Sequence, residues 1–515
     1  MSKERSLTFY AAAFVGMILT VAPGWPVAAD STVPSAGDFV SLGDRLIFST
    51  VGGGEDAVLW STDGTPAGTV ELTSRICPSP CVDVQPLGTV GGAALLAAHP
   101  GGVWRTDGTP AGTFPVTRAL DSTGESAQIS PSDGTLFFTA CGPILGCELW
   151  LSDGSRAGTR VLRDIVPGPN GSYPHSLTSW QDKLYFLAGG ETPANTGLWN
   201  TDGTTAGTRF IARSVNNFVN GDTLIGDTGT RLYFTSLDVT EQLWTSDGTP
   251  PGGTRRIHAF VPPPCTEPDL CSSPYLHFLV PVVNYEQVIF LASDGVHGPQ
   301  FWLTGGGPVA RLTDVPGNLL ANASPPQRPG RLWIFSALGS PQGPTVLWKA
   351  GFNFVQAAPV TGCQGGCPEV VAFFPPSIPH SSRPPAPRPV LFVGTDPAHG
   401  AELWATDGTG AGTQRLADIC PGPCSAFSSN VQPNVLGDAN GRTYLLATPR
   451  ADGGSQALWV TNGTPAGTLR ISSFARGVGF LNGRVYFSAA APDGLELRAT
   501  DGKSGAFDVV TVLRP

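Results

Sequence analysis

One phrase recurs along this chain of 515 residues, and its spacing limits what the chain can fold into. The clearest copy, ELWATDGTGAGT, runs from Glu402 to Thr413, and ELWLSDGSRAGT runs from Glu148 to Thr159. Close copies open at Val58, Val103, Leu198, Leu243 and Leu458, and degraded ones at Phe301, Leu347 and Glu496. The repeat tryptophans are Trp60, Trp104, Trp150, Trp199, Trp244, Trp302, Trp348, Trp404 and Trp459. They stand 44, 46, 49, 45, 58, 46, 56 and 55 residues apart, and Arg498 takes the tenth place. Self-similarity at such a period means that each unit buries its apolar face only against its neighbours.

Each unit reads as four short strands. Upstream of the Trp lies a β-branched and aromatic run, such as RLIFST at Arg45 or RVYFSA at Arg484. A Gly, Asp or Asn turn precedes most of these runs, and another apolar stretch precedes the turn, a hairpin pattern. A fourth run follows the phrase, as in TRVLRDI or TQRLADI. Repeats of about 40–50 residues with four strands each predict a β-propeller. The composition suits an all-β protein with many turns: 66 Gly, 49 Pro and only 14% charged residues. The expectation is about ten four-stranded blades, at roughly 36–74, 82–118, 124–166, 174–215, 218–262, 273–315, 322–361, 369–420, 428–474 and 475–515. The Pro-rich stretch from Pro375 to Pro389 reads as an insertion within the eighth. A single large ring is preferred, with two smaller rings as the alternative. The first unit opens with its first strand and the last ends with its fourth, so closure must rest on packing of the end blades.

Within the phrase, Leu-Trp supplies the apolar anchor and Asp-Gly a tight turn, since Gly tolerates positive φ and Asp accepts bonds from nearby amides. A structural turn role is therefore expected for Asp63, Asp107, Asp153, Asp202, Asp247, Asp407, Asn462 and Asp501. A ring of ion sites is the competing reading. One carboxylate per repeat is thin for calcium, which takes 6–8 oxygen ligands, so no metal or other cofactor is expected.

The N-terminus reads as an export signal over residues 1–29, ahead of a repeat domain over 30–515. Lys3 and Arg5 precede an apolar run from Leu7 to Val21, and Val27-Ala28-Ala29 suits cleavage before Asp30. No later segment is long and apolar enough to span a membrane. The ten cysteines agree with export, because they fall into five close pairs: Cys77 and Cys81, Cys141 and Cys147, Cys265 and Cys271, Cys363 and Cys367, Cys420 and Cys424. Such pairing predicts local disulfides that stiffen loops. Four of the pairs lie in links between units, which should crowd one face of the ring and offer a place for binding.

The phrase resembles that of the ELWxxDGT-repeat proteins, a family of bacterial secreted proteins, and the likeness covers nearly the whole chain after residue 29. The resemblance implies an exported, propeller-like repeat protein of unassigned activity, secreted or at the cell surface, with the periplasm as an alternative. The turn placement is similar to the Asp-box turns of sialidases and sortilin-type receptors, but here the Trp precedes the Asp.

A net charge of −10 with no basic run after the N-terminus argues against nucleic acid as a partner. No GxSxG, HExxH or phosphate-binding loop occurs. His297 and His399 share a place just before the phrase, in DGVHGPQFW and DPAHGAELW, and read as turn residues or as a pair facing the ring opening. The first expectation is a non-catalytic binding or scaffold protein with an extracellular protein or polysaccharide as partner. The alternative is a propeller enzyme acting on carbohydrate or a related extracellular polymer. Specificity is expected in the Cys-pinned loops and around Trp302 and Trp348, whose copies lack the Asp.

Overall fold

A computed structural model describes residues 35–36, 39–51, 57–77, 83–99, 101–118, 120, 122–129, 134–189, 196–213, 225–227, 230–237, 241–249, 253–260, 276–282, 287–294, 296, 298–315, 320, 323–324, 326–327, 332–340, 343–351, 357–363, 366–374, 388–427, 435–449, 456–473, 475–491 and 494–513. The expected signal segment, the Pro-rich insertion up to residue 387, Cys81, Cys265, Cys271 and His297 lie outside these residues.

The strands form ten antiparallel sheets, each built from consecutive strands, and the sheets are the blades of one β-propeller ring. Blades 1 to 5 span Ser35–Cys77, Asp83–Thr117, Ser122–Arg163, His175–Arg213 and Ile225–Ala259. Blades 6 to 10 span Leu276–Arg311, Trp333–Pro359, Glu369–Arg415, Val435–Ser472 and Arg476–Leu513. Two blades depart from the four-strand expectation. Blade 1 gains a two-residue strand, Ser35–Ala36, paired to the far end of its second main strand. Blade 7 has three strands, and a single bridge from Gln327 to Ile334 stands where its first strand would run.

The repeat sequence fixes the same cross-strand pair in nearly every blade. The Phe of the second strand lies directly opposite the Trp of the third in seven of them: Phe48–Trp60, Phe138–Trp150, Phe186–Trp199, Phe234–Trp244, Phe290–Trp302, Phe335–Trp348 and Phe392–Trp404. Leucine replaces the Phe in blades 2 and 9. In blade 10 Arg498 takes the Trp place opposite Phe487 and lays its guanidinium over Phe507 at 4.5 Å. Aromatic pairs on one sheet face stabilise the pairing by about 0.2–1 kcal/mol each. Burial of each large side chain contributes roughly 1.5–3 kcal/mol more.

Packing between blades settles one ring against two. Among the described residues there are ten buried apolar clusters, and each joins two adjacent blades. Nine of them run in order from blade 1 to blade 10. The tenth sets Leu46, Phe48 and Trp60 of blade 1 against Tyr486, Leu497 and Leu513 of blade 10. Phe39 stacks on Phe48 at 4.7 Å within this seam, and the Ser41 hydroxyl donates to the Phe480 carbonyl at 3.2 Å. Among the described residues no blade mixes strands from both ends of the chain, so the ring closes by side-chain packing and this hydrogen bond rather than by a shared sheet. The first strands of successive blades lie against one another, which puts them at the inner edge and the fourth strands at the rim.

Candidate functional site

Alternating strand direction divides the connections between two faces. The turns between strands one and two, and between three and four, share one face. The hairpins between strands two and three, and the links to the next blade, share the other.

The first face carries the repeated Asp turns, and the Asp carboxylates accept hydrogen bonds from within their own turns. Asp407 Oδ1 accepts from the Thr409 amide at 2.8 Å and from its hydroxyl at 2.7 Å. The Thr409 hydroxyl in turn accepts from the Gly412 amide at 2.9 Å. Thr406 and Thr413 close the base of the turn through their hydroxyls, 2.7 Å apart. The same amide bond recurs at Asp63, Asp107, Asp153, Asp202, Asp247 and Asp501, and Asn462 makes both bonds to Thr464 with its amide oxygen. The hydroxyl of Thr65, Thr109, Ser155, Thr204 or Thr249 is the main cause that holds Asp63, Asp107, Asp153, Asp202 and Asp247 below the usual carboxylate range. These are turn-forming acceptors. Among the described residues no three of His, Cys, Asp and Glu gather into a metal-sized cluster.

The turns also join the blades. The Thr205 hydroxyl of blade 4 donates to the Leu162 carbonyl of blade 3 at 2.7 Å. Arg156 Nε of blade 3 donates to the Pro115 carbonyl of blade 2 at 3.0 Å. Gly248, at φ +78°, lets the Tyr185 hydroxyl of blade 4 approach so closely that a Cβ there would lie 2.3 Å from it.

The second face is where the copies differ. Blades 3 and 8 carry the full Glu-Leu-Trp, and both glutamates are buried with no exposed surface. Glu402 accepts from the amides of Ile419 and Cys420 at 2.9 and 2.8 Å. Glu148 accepts from the Val166 amide at 3.0 Å and the Ser172 hydroxyl at 2.6 Å. Each carboxyl therefore clasps the link that leaves its own blade. Burial pushes Glu402 up to about 7, against the pull of its two amide donors, and pushes Glu148 up as well. Gln300 does the same work in blade 6 without a charge, since its Oε1 accepts from the Val315 amide at 3.0 Å and the Thr313 hydroxyl at 2.8 Å.

Backbone bonds finish the clasp identically in the two loops. The Ala426 amide donates to the Ala401 carbonyl at 2.9 Å, and the Ser172 amide to the Cys147 carbonyl at 2.9 Å. Disulfides Cys420–Cys424 and Cys141–Cys147 lie beside them, and Cys363–Cys367 pins the link after blade 7. Three expected bridges are thus formed. The other two pairs extend beyond the described residues. Blades 3 and 8 are five places apart in a ring of ten, so the two clasped loops stand on opposite sides of one face.

This face also holds three of the four large apolar residues that stand exposed among the described residues: Ile144, Tyr173 and Val296. Ile144 is at the tip of the Cys141–Cys147 hairpin. Tyr173 follows the clasped Ser172 on left-handed backbone, φ 51°, and is 57% exposed. His399 sits in the blade 8 hairpin with Nδ1 2.8 Å from Asp396 Oδ1. The indoles of Trp302 and Trp348 point their N–H groups at the Ala292 and Leu338 carbonyls, at 2.9 and 3.2 Å. Those two copies are packing anchors like the rest.

Sequence reasoning passed over Glu148, Glu402 and Gln300. A signal was present: Glu-Leu-Trp occurs in the two repeats that continue into DIVPGP and DICPGP, and Gln300 precedes DVPG.

Neither a protein-family model nor a curated protein matches the sequence. Among solved structures, the chain is similar to puromycin hydrolase at 14% identity and a TM-score of 0.34, over 66% of this chain and 53% of that one. The chain thus spans about half the length of that enzyme. It is similar to the β-propeller domain of the Trilobed protease from Pyrococcus furiosus at 13% identity and a TM-score of 0.32, over 67% and 99% of the two chains. A prolyl endopeptidase matches at 11% identity and a TM-score of 0.38, over 84% and 55%. Likenesses this distant say nothing of substrate or chemistry.

Proposed function

We propose that this chain is a secreted, non-catalytic binding or surface-scaffold protein of the ELWxxDGT-repeat kind, exported through residues 1–29, with an extracellular protein or polysaccharide as its partner. The observation that carries the reading is the employment of the motif acids. Asp407 and its counterparts serve their own turns, and Glu148 and Glu402 hold loops. The repeated phrase therefore builds a frame. The link clasped by Glu148 presents Tyr173, and the disulfide-braced hairpin beside it presents Ile144. Groups that are already ordered bind without a large loss of conformational entropy.

The test is capture of extracellular proteins and of a glycan array by the purified chain, beside an I144D/Y173A double variant. The reading expects saturable binding that the double variant loses, with bound polysaccharide recovered intact. Chain cleavage of a captured polymer would replace it with the enzymatic alternative. Binding that ignores both substitutions would move the site off the loop face.

A further inference from the structure

We propose that the seam between blade 10 and blade 1 is a gate, at which the closed ring parts while both blades stay folded. At the nine other seams the chain itself runs from one blade into the next. In seven of them a residue of that link is buried in the cluster that joins the blades: Leu120, Ile165, Phe260, Val315, Val360, Ile419 or Ala475. Parting such a seam also unseats the link. Blades 10 and 1 are connected only by way of the eight blades between them, and every buried member of their cluster lies on a strand. Local openings differ in free energy by what each one exposes, and a single buried Ile or Val shifts such an equilibrium by about tenfold or more.

The contacts across this seam separate without breaking a sheet. Tyr486 of blade 10 reaches the Asp-Gly turn of blade 1, where a Cβ on Gly64 would lie 2.2 Å from the tyrosine hydroxyl. Phe39 of blade 1 seats on the bare backbone of Gly479 in blade 10, where a Cβ would lie 2.7 Å from Phe39 Cβ. The hydrogen bond from Ser41 to the Phe480 carbonyl is exposed, so water replaces it on opening. Among the described residues no strand ladder crosses from blade 10 to blade 1, and each keeps its own pairing when the two part. Parting them exposes the inner edge of the ring from the side.

Four tyrosines at one repeat position, on four different seams, test this without a variant. Tyr185, Tyr233 and Tyr444 stand at linked seams and Tyr486 at the closing one, and they are 1%, 0%, 0% and 4% exposed. Nitration of the native chain by tetranitromethane, followed peptide by peptide, should modify Tyr486 at least about tenfold faster than the other three. Two alanines of blade 10 supply a pair of equal burial. Ala489 packs towards blade 9 and Ala499 towards blade 1, and neither has exposed surface. A maleimide should label Ala499→Cys at least about tenfold faster than Ala489→Cys. Gly64→Ala, which wedges Tyr486 away, should speed labelling at 499 further and leave 489 unchanged. If either cysteine variant does not fold, nitration alone decides. Tyr486 nitrated no faster than Tyr444 overturns the proposal. So does equal labelling of the two cysteines, the result expected when blade 10 unfolds whole, and so does a Gly64→Ala wedge that speeds both alike.

Discussion

Glu402→Gln separates the two roles of a clasping carboxyl, its hydrogen bonds and its charge. Gln300 already performs the clasp in blade 6 as a neutral amide. Glu402 is fully buried, and its protonation is displaced from 4.5 to about 7, first by burial and then by the nearby Asp418 carboxylate, while its two amide donors and Arg415 oppose the change. At about 1.4 kcal/mol for each tenfold step, that displacement corresponds to roughly 3 kcal/mol between protonation states. The sign follows from linkage. The folded chain prefers the protonated form, so the favourable contribution is complete below pH 4.5, is lost as pH rises towards about 7, and stays lost above it. The Gln variant has no such proton. Urea unfolding followed by tryptophan fluorescence, repeated from about pH 4 to about pH 9, should show the stability difference moving by roughly 3 kcal/mol in favour of Gln, nearly all of it below pH 7. Both neutral forms offer one acceptor oxygen fewer than the carboxylate, so any constant offset between the proteins leaves this movement intact. Parallel pH profiles for the two proteins would refute the reasoning.

Two further substitutions probe the frame. Asp407→Ala removes the acceptor of two hydrogen bonds and should destabilise the chain by about 1–3 kcal/mol, whereas Asp407→Asn should cost far less because Asn462 makes the same bonds; equal losses in melting temperature would contradict this. Gly248→Ala places a Cβ against the Tyr185 hydroxyl at a positive φ and should cost roughly 1–3 kcal/mol in urea unfolding, partly restored by Tyr185→Phe; a neutral effect would show that the interface yields.

The strands, the blade repeat and the Phe–Trp pairing were legible because they are local. Period-two runs bounded by Gly and Asn turns define hairpins, and a fixed hairpin register sets Phe392 opposite Trp404 without help from the rest of the chain. The turn role of Asp407 was legible for the same reason, since its partner is two residues away. Glu402 was passed over because its partners are main-chain amides 17 and 18 residues downstream. Every residue except Pro has such an amide, so no single residue marks the pairing, and only the joint occurrence of Glu-Leu-Trp with DIVPGP or DICPGP points to it.

What the sequence determined by itself is an all-β array of ten like units, each with an Asp-Gly corner and an aromatic anchor. Closure into one ring was decided only by tertiary structure. The Leu, Phe and Trp side chains that join blade 10 to blade 1 are the same kinds that join every other neighbouring pair. Apolar burial is non-directional and does not name its partner, so the geometry of ten successive packings decides where the last blade meets the first.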